Sequence, residues 1–379
     1  MRTVLDFKTL TRFFISLMRT CNTSSGTRLY GLAFARGLDA LFFEAGFLVV
    51  SASPDIDDFG TFCVPMQAIE KKGFKTQLGR KKKPNSPVKK LVVFITWFSK
   101  IIGNAVAKMI ACTAFHPPDD PSYSKHDVHF TTLADGKTQI AMWMSTPPGS
   151  NETMSKYYSL RPLILYSHGN AEDIGGVASY CSHLSDRTNC NVLTYDYVNY
   201  GQSSAGTPTQ ANLLEAAEAV YKFALNKMEA RNVVLMGRSI GSAPAVYLAA
   251  YHTQHMGLVL VSPLASGART LSISRIFPRW LLTNLDNIFC PSVQTIEKVQ
   301  CPVLILHGNQ DDIIPVQNAY DLYNAIPTKY KQKPHFFGDA LLPAGHNDLE
   351  EKFGDEIVGI ITEFIRDQDH KATWETNYD

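Results

Sequence analysis

VVLMGRSIGS, residues 233–242, carries a short apolar strand, Val233–Met236, straight into Gly237-Arg238-Ser239-Ile240-Gly241 and then a helix beginning near Ser242. A G-x-S-x-G run between a strand and a helix is a nucleophile elbow: the glycines tolerate a tight, strained turn that lifts a serine hydroxyl above the edge of a sheet. The same turn leaves the Ile240 backbone N–H at a helix N-terminus, where developing negative charge is favoured. Ser239 is the candidate nucleophile. The motif alone is common, so its weight depends on what surrounds it.

A serine hydroxyl attacks poorly until a base takes its proton, and an acid must orient that base. In a strand–elbow–helix architecture these partners follow in the order acid, then histidine, each in a loop after a strand. The apolar run 302–306 (PVLIL) ends in His307-Gly308-Asn309-Gln310-Asp311-Asp312, which places Asp311 at a strand's carboxyl end. Asp312 is its adjacent rival and is expected to face solvent or cap the next turn. The run 334–337 (PHFF) is followed by Ala344-Gly345-His346-Asn347-Asp348, and His346 is the expected base. The other histidines read as structural: His168 and His307 adjoin strands and satisfy backbone groups, while His252, His255 and His335 lie outside the required loops. A second oxyanion donor belongs in the loop after 163–167 (LILYS), where Ser167-His168-Gly169-Asn170-Ala171 nominates the Asn170 backbone N–H beside that of Ile240. The loop Tyr195–Ser203 is expected to shape the floor of the site.

Working outward, apolar β-rich runs at 139–146, 163–167, 191–195, 233–236, 257–261, 302–306 and 334–337 alternate with helical stretches, clearest at 209–227, 242–251 and 347–366. Continuous apolar strands separated by helices are buried on both faces, which implies an α/β domain with a mostly parallel sheet. The runs Val128–Thr132 and Gln139–Ser145, split by Ala134-Asp135-Gly136, predict an antiparallel hairpin leading into it. Residues 262–300 leave room for only a short cap.

The first 113 residues read differently from the domain at 114–370 and its tail at 371–379. Met1 to about Leu17 is basic and amphipathic, equally readable as a presequence or as a surface helix. Between Lys71 and Lys90 stand nine Lys/Arg and no acid, and Leu91–Cys112 is apolar with Lys100 and Lys108 as its charges. A basic stretch beside an apolar, aromatic-rich segment suits membrane association, and 71–112 could lie in the interface or, by length, span it. A helix capping the domain beside a solvated linker is the other reading.

The net charge of +1 gives no whole-protein field for nucleic acid. Seven scattered cysteines, without CxxC or a Cys/His cluster, fit reduced thiols. Neither a Walker A loop nor a GxGxxG follows a strand, and no His/acid cluster has metal spacing, so neither cofactor nor metal is expected.

AFHPPDDPSY (114–123), LYSHGNAEDIG (165–175), YDYVNYGQSS (195–204), GRSIGSAP (237–244), SPLASGAR (262–269), PVLILHGNQDDII (302–314) and AGHNDLE (344–350) together resemble the α/β-hydrolase domain-containing 17 family of membrane-associated protein depalmitoylases. The resemblance implies the α/β-hydrolase fold, with helices on both sheet faces, and assigns Ser239 as nucleophile, Asp311 as acid and His346 as base. It implies S-palmitoyl thioesters on proteins as substrates, at the cytosolic face of a plasma or endosomal membrane; cytoplasm and mitochondrion are the alternative locations. The chain departs from the family pattern in four places. About 113 residues stand where the family has a short cysteine cluster, Arg238 replaces a glutamine, and Asn309–Gln310 replace a Thr–Glu pair. The segment Asp339–Pro343 also lengthens the loop that carries His346. A carboxylesterase, lipase or serine peptidase would use the same three residues, because fold motifs do not set the substrate. A non-catalytic binding protein on this fold is the remaining reading.

Overall fold

The apolar runs assemble into one eight-stranded sheet in the computed structural model, which describes residues 114–149, 161–270, 282–283 and 285–375, side chains from 370 onward excepted. Contacts divide the chain into units 1–82 and 83–379, and every described residue belongs to the second. The expected amphipathic start and basic–apolar stretch 71–112 lie outside the described residues, as does part of the short cap, 271–281. Among the described residues no helix is long and apolar enough to cross a membrane.

The strands are β1 (His129–Thr132), β2 (Gln139–Ser145), β3 (Leu163–Ser167), β4 (Asn191–Tyr195), β5 (Val233–Arg238), β6 (Gly257–Val261), β7 (Val303–Gly308) and β8 (His335–Phe337). Their order is β1-β2-β4-β3-β5-β6-β7-β8. The first two pair antiparallel as the hairpin reading expects, β2 meets β4 antiparallel, and all later pairings are parallel. Two-residue periodicity sends alternate side chains to opposite faces. Val233 and Leu235 of β5 join one buried cluster, whereas Val234 and Met236 join the other. Leu258 and Leu260 likewise oppose Val259 and Val261 on β6, and Val303 and Ile305 oppose Leu304 and Leu306 on β7. This is why these runs read as unbroken apolar sequence.

Helices seal both faces. They are α1 (Ile174–Thr188), α2 (Gln210–Asn226), α3 (Ser242–Tyr251), the single-turn α4 (Gly267–Thr270) and α5 (Ser292–Thr295), α6 (Gln317–Ala325) and α7 (Leu349–Glu375). Helix α1 starts at Asp173, whose side chain accepts from the Gly176 N–H, and buries Ile174, Val177, Cys181 and Leu184 along one stripe. Helix α2 opens with a capping box between Thr209 and Asn212 and buries Leu213, Ala216, Ala217, Val220, Tyr221 and Ala224 against the opposite face. Helix α7 runs beyond the expected 366 to Glu375, with a kink at Phe353. Cys181, Cys190, Cys290 and Cys301 are buried free thiols.

The chain leaves β3 through α1 to β4 and returns through α2 to β5 on the other side of β3. Strand order therefore reverses between β3 and β5, and a crevice opens there at the carboxyl ends. The loops after β3, β5, β7 and β8 all reach that edge.

Candidate active site

Strand β5 extends further than its apolar core, through Gly237 and Arg238, and ends at Ser239 with φ +53°. A serine in this left-handed region carries strain of order 1–3 kcal/mol, maintained only because its surroundings over-determine it. The glycines supply that determination: a Cβ on Gly237 would strike the Gly241 carbonyl, and one on Gly241 would strike the carbonyls of Ser167 and His168. The Ser239 carbonyl accepts from Ser242 Oγ at 2.6 Å, and that hydroxyl oxygen in turn accepts from the Leu264 N–H at 3.1 Å. The elbow is thus braced from β3 on one side and from the loop after β6 on the other.

His346 Nε2 lies 3.0 Å from Ser239 Oγ, and His346 Nδ1 lies 2.7 Å from Asp311 Oδ2. Three residues spread over the sequence form one buried hydrogen-bonded chain, at 6, 5 and 4% exposure for Ser239, His346 and Asp311. The other oxygen of Asp311 accepts the N–H groups of Ile313 and Ile314 at 3.1 and 2.7 Å. Burial by itself would raise the Asp311 carboxyl, but the hydrogen bonds and charges of His307 and His346 hold it well below the usual carboxylate range. Asp312 is exposed.

An open cleft of about 440 Å³ runs past these groups. Ser239, Ile240 and His346 line it, with Asn170, Ala171 and Glu172 on one side and Leu264, Phe289, Ile313 and Ile314 forming apolar wall. Both nominated oxyanion residues, Ile240 and Asn170, are on this rim. The Asn170 side chain fastens its loop: Oδ1 accepts from the His116 N–H at 2.9 Å and Tyr200 Oη at 2.6 Å, and Nδ2 donates to the Ala114 carbonyl at 3.2 Å. The Tyr195–Ser203 loop thus supports the loop after β3, with Tyr197 Oη also donating to the His168 carbonyl at 2.6 Å.

Two histidines read as backbone-satisfying do more than that. His307 Nε2 bonds the Ile314 carbonyl at 2.9 Å and also lies 3.3 Å from Asp311 Oδ2. His168 Nδ1 bonds the Gly169 carbonyl at 2.8 Å while its Nε2 lies 3.2 Å from Asp196 Oδ1. Sequence reasoning also missed Arg238 as a structural hub beside Ser239, with Glu172 and Glu350 as its partners. The available signal was a charged residue at the variable position of an elbow whose flanking strand is wholly buried. Among the described residues no group of three or more His, Cys, Asp or Glu is arranged to hold a metal.

The alpha/beta hydrolase fold family matches residues 162–289. Human alpha/beta hydrolase domain-containing protein 17B is 33% identical over 262 residues, spanning 64% of this chain and 86% of its own. The chain belongs to the α/β-hydrolase domain-containing 17 family. Mouse protein 17C, of the same family, is 36% identical over 194 residues, 51% of this chain and 56% of its own length. Among solved structures, an esterase from Pyrococcus furiosus shares the fold at a TM-score of 0.50 and 16% identity, over 67% of this chain and 97% of its own. Membership in this family of hydrolases fits the crevice: β3, β5, β7 and β8 bring an elbow, an acid and a histidine to one cleft in the chain order that such folds use.

Proposed function

We propose that this chain is a serine hydrolase that removes acyl groups through an acyl-enzyme, with S-palmitoyl groups on proteins as its substrates. The carrying observation is the Ser239–His346–Asp311 chain, 3.0 and 2.7 Å between successive members, opening on a cleft with an apolar wall. Ser239 Oγ attacks the acyl carbonyl carbon as His346 Nε2 takes its proton. Asp311 keeps Nδ1–H pointed at itself and stabilises the imidazolium. The oxyanion is received by the backbone N–H groups of Ile240 and Asn170, each such donor being worth about 100- to 1,000-fold in turnover. His346 then returns the proton to the departing thiolate or alkoxide sulfur or oxygen. Water, deprotonated by the same imidazole, attacks the acyl-serine, releases the fatty acid and restores Ser239.

Leu264, Phe289, Ile313 and Ile314 supply a surface for an acyl chain, and the cleft's openness suits a chain displayed on a protein. Membrane association through 71–112 would bring the enzyme to such substrates; it rests on the nine basic residues between Lys71 and Lys90 and the apolar run after them.

The test is labelling by a fluorophosphonate probe in wild type and Ser239→Ala, alongside turnover of a palmitoyl-thioester peptide and its oxygen-ester counterpart. Serine-dependent labelling with faster thioester turnover supports a depalmitoylase. Labelling with oxygen-ester or peptide turnover alone keeps the serine hydrolase and discards the thioester. Folded protein that does not label at all refutes the reading. Co-sedimentation of the full chain with anionic vesicles tests the membrane part: retention in the supernatant refutes it.

A further inference from the structure

Arg238 directly precedes Ser239, and its side chain is buried to 10% exposure. Its guanidinium engages three separate segments. Nε and Nη2 donate to the two carboxylate oxygens of Glu350, at the start of α7, at 2.5 and 3.3 Å. Nη1 donates to Glu172 Oε1 at 3.3 Å, and Nη2 donates to the His346 backbone carbonyl at 3.0 Å. Glu172 is itself tied to the oxyanion side, since its other oxygen accepts the Gly169 N–H at 2.9 Å. The packing is tight enough that a Cβ on Gly169 would meet Arg238 Nη1 at 2.7 Å.

An ion cluster with its guanidinium buried and its two carboxylates half-buried is a poor stability device. Its desolvation cost is large, and well-packed apolar side chains can replace such clusters at little or no loss. The fork geometry of arginine is what lets one residue satisfy a carboxylate pair and a carbonyl together, which a lysine point charge cannot reproduce. Meanwhile the His346 main chain has few other ties. Upstream, the Gln310 N–H donates to the Ala344 carbonyl at 2.9 Å; on either side of His346, Gly345 N–H reaches Asp348 Oδ1 at 2.7 Å. The imidazole is held by Asp311, but the carbonyl of the same residue is held by Arg238.

We infer that Arg238 is a positioning residue that sets the base against the nucleophile, by holding the His346 carbonyl and, through Glu172, the Gly169–Asn170 turn. This rests on the reading of Ser239 and His346 as nucleophile and base. Arg238 touches neither acyl group nor leaving group in this scheme; it fixes two loops relative to the elbow from which it projects. The titratable groups around it are Glu172 after β3, Glu350 on α7, Tyr166 on β3 and Tyr180 and Cys181 on α1. Facing His346 is Asp311, whose Oδ2 also lies 3.3 Å from His307 Nε2.

The test uses the full chain with a p-nitrophenyl ester and a fluorophosphonate probe, rates being normalised to folded protein. Arg238→Gln, which keeps one donor and loses the fork, is expected to lower kcat about 100-fold, the scale of a 1 Å misplacement, with KM unchanged. The labelling rate should fall in parallel. The acid limb of kcat/KM should move to higher pH, because a cation near the imidazolium is gone and the Glu172 and Glu350 carboxylates are uncompensated. Glu350→Gln retains the Arg238–His346 bond; it should keep most of kcat and shift the acid limb the opposite way. Arg238→Lys should fall between Gln and wild type. Should Arg238→Gln fail to fold, the Lys and Glu350 variants decide by the same two readouts. Wild-type kcat and an unmoved acid limb in folded Arg238 variants, with only the melting temperature lowered, would overturn the inference. Ser239→Ala separates the two readings: if it retains turnover, the nucleophile assignment fails; if it is dead while Arg238 variants are normal, the positioning role alone fails.

Discussion

Of the buried histidine–aspartate pairs at this edge of the sheet, His346–Asp311 and His168–Asp196 differ in what the second nitrogen faces. In the pair after β7 and β8, Asp311 takes Nδ1 of His346 at 2.7 Å, leaving Nε2 to reach Ser239 Oγ and the cleft. In the pair after β3 and β4, Asp196 lies 3.2 Å from Nε2 of His168, and Nδ1 is spent on the adjacent Gly169 carbonyl. His168 and Asp196 are wholly inaccessible, and Asp196 also accepts the Ile174 N–H at 3.0 Å and the Tyr123 hydroxyl. The same two residue types thus aim an imidazole nitrogen at the Ser239 hydroxyl in one place and fasten the loop after β3 in the other. A ring nitrogen that faces a serine hydroxyl in the cleft is the difference.

The comparison breaks most sharply at the nucleophile. Ser239→Ala or His346→Ala should reduce turnover about a millionfold, and the double variant should be no worse than either single, since the residues act as a unit. Additive losses in steady-state kinetics would separate the two. Asp311→Asn is expected to cost about 10,000-fold in kcat by presenting the wrong imidazole tautomer. Asp196→Asn should behave oppositely: about 3–5 kcal/mol less stable in denaturant titration, with kcat per folded site within about tenfold. A loss of turnover from Asp196→Asn as deep as that from Asp311→Asn would merge the two pairs.

Their pH dependences should also oppose. The depressed Asp311 carboxyl contributes stability that is complete above the ordinary carboxylate value of about 4 and lost as pH falls towards its folded value. Burial would lower His168, but the adjacent Asp196 carboxylate and the Gly169 carbonyl override it and leave it raised. Its contribution is therefore complete below the ordinary histidine value of about 6.5 and lost as pH rises through its folded value. Thermal melts across pH should show Asp311→Asn flattening the acid side and Asp196→Asn flattening the other. The smallest effect belongs to the exposed neighbour: Asp312→Asn should stay within about 0.5 kcal/mol of wild type in stability, with turnover preserved. A large loss of turnover there would return the acid role to Asp312.

Local sequence was enough for much of this. Apolar runs such as Leu163–Ser167 and Val303–Leu306 announced buried strands, because side chains on both faces of a covered parallel sheet must be apolar. Gly237 and Gly241 announced the elbow, because any Cβ there meets backbone. That Ser239, Asp311 and His346 would come together was readable from chain order, because each follows a strand in a fold that gathers strand ends at one edge. What no local pattern could supply were the contacts made across long separations. Arg238 finds Glu172 and Glu350, 66 and 112 residues away, and the His346 carbonyl, 108 away. His168 likewise acquires Asp196, from the loop after the next strand in the chain. Composition and spacing determine which residues can do chemistry. Only the packed sheet decides which nitrogen of which histidine is left free, because a hydrogen bond is set by distance and direction, and both come from the whole fold.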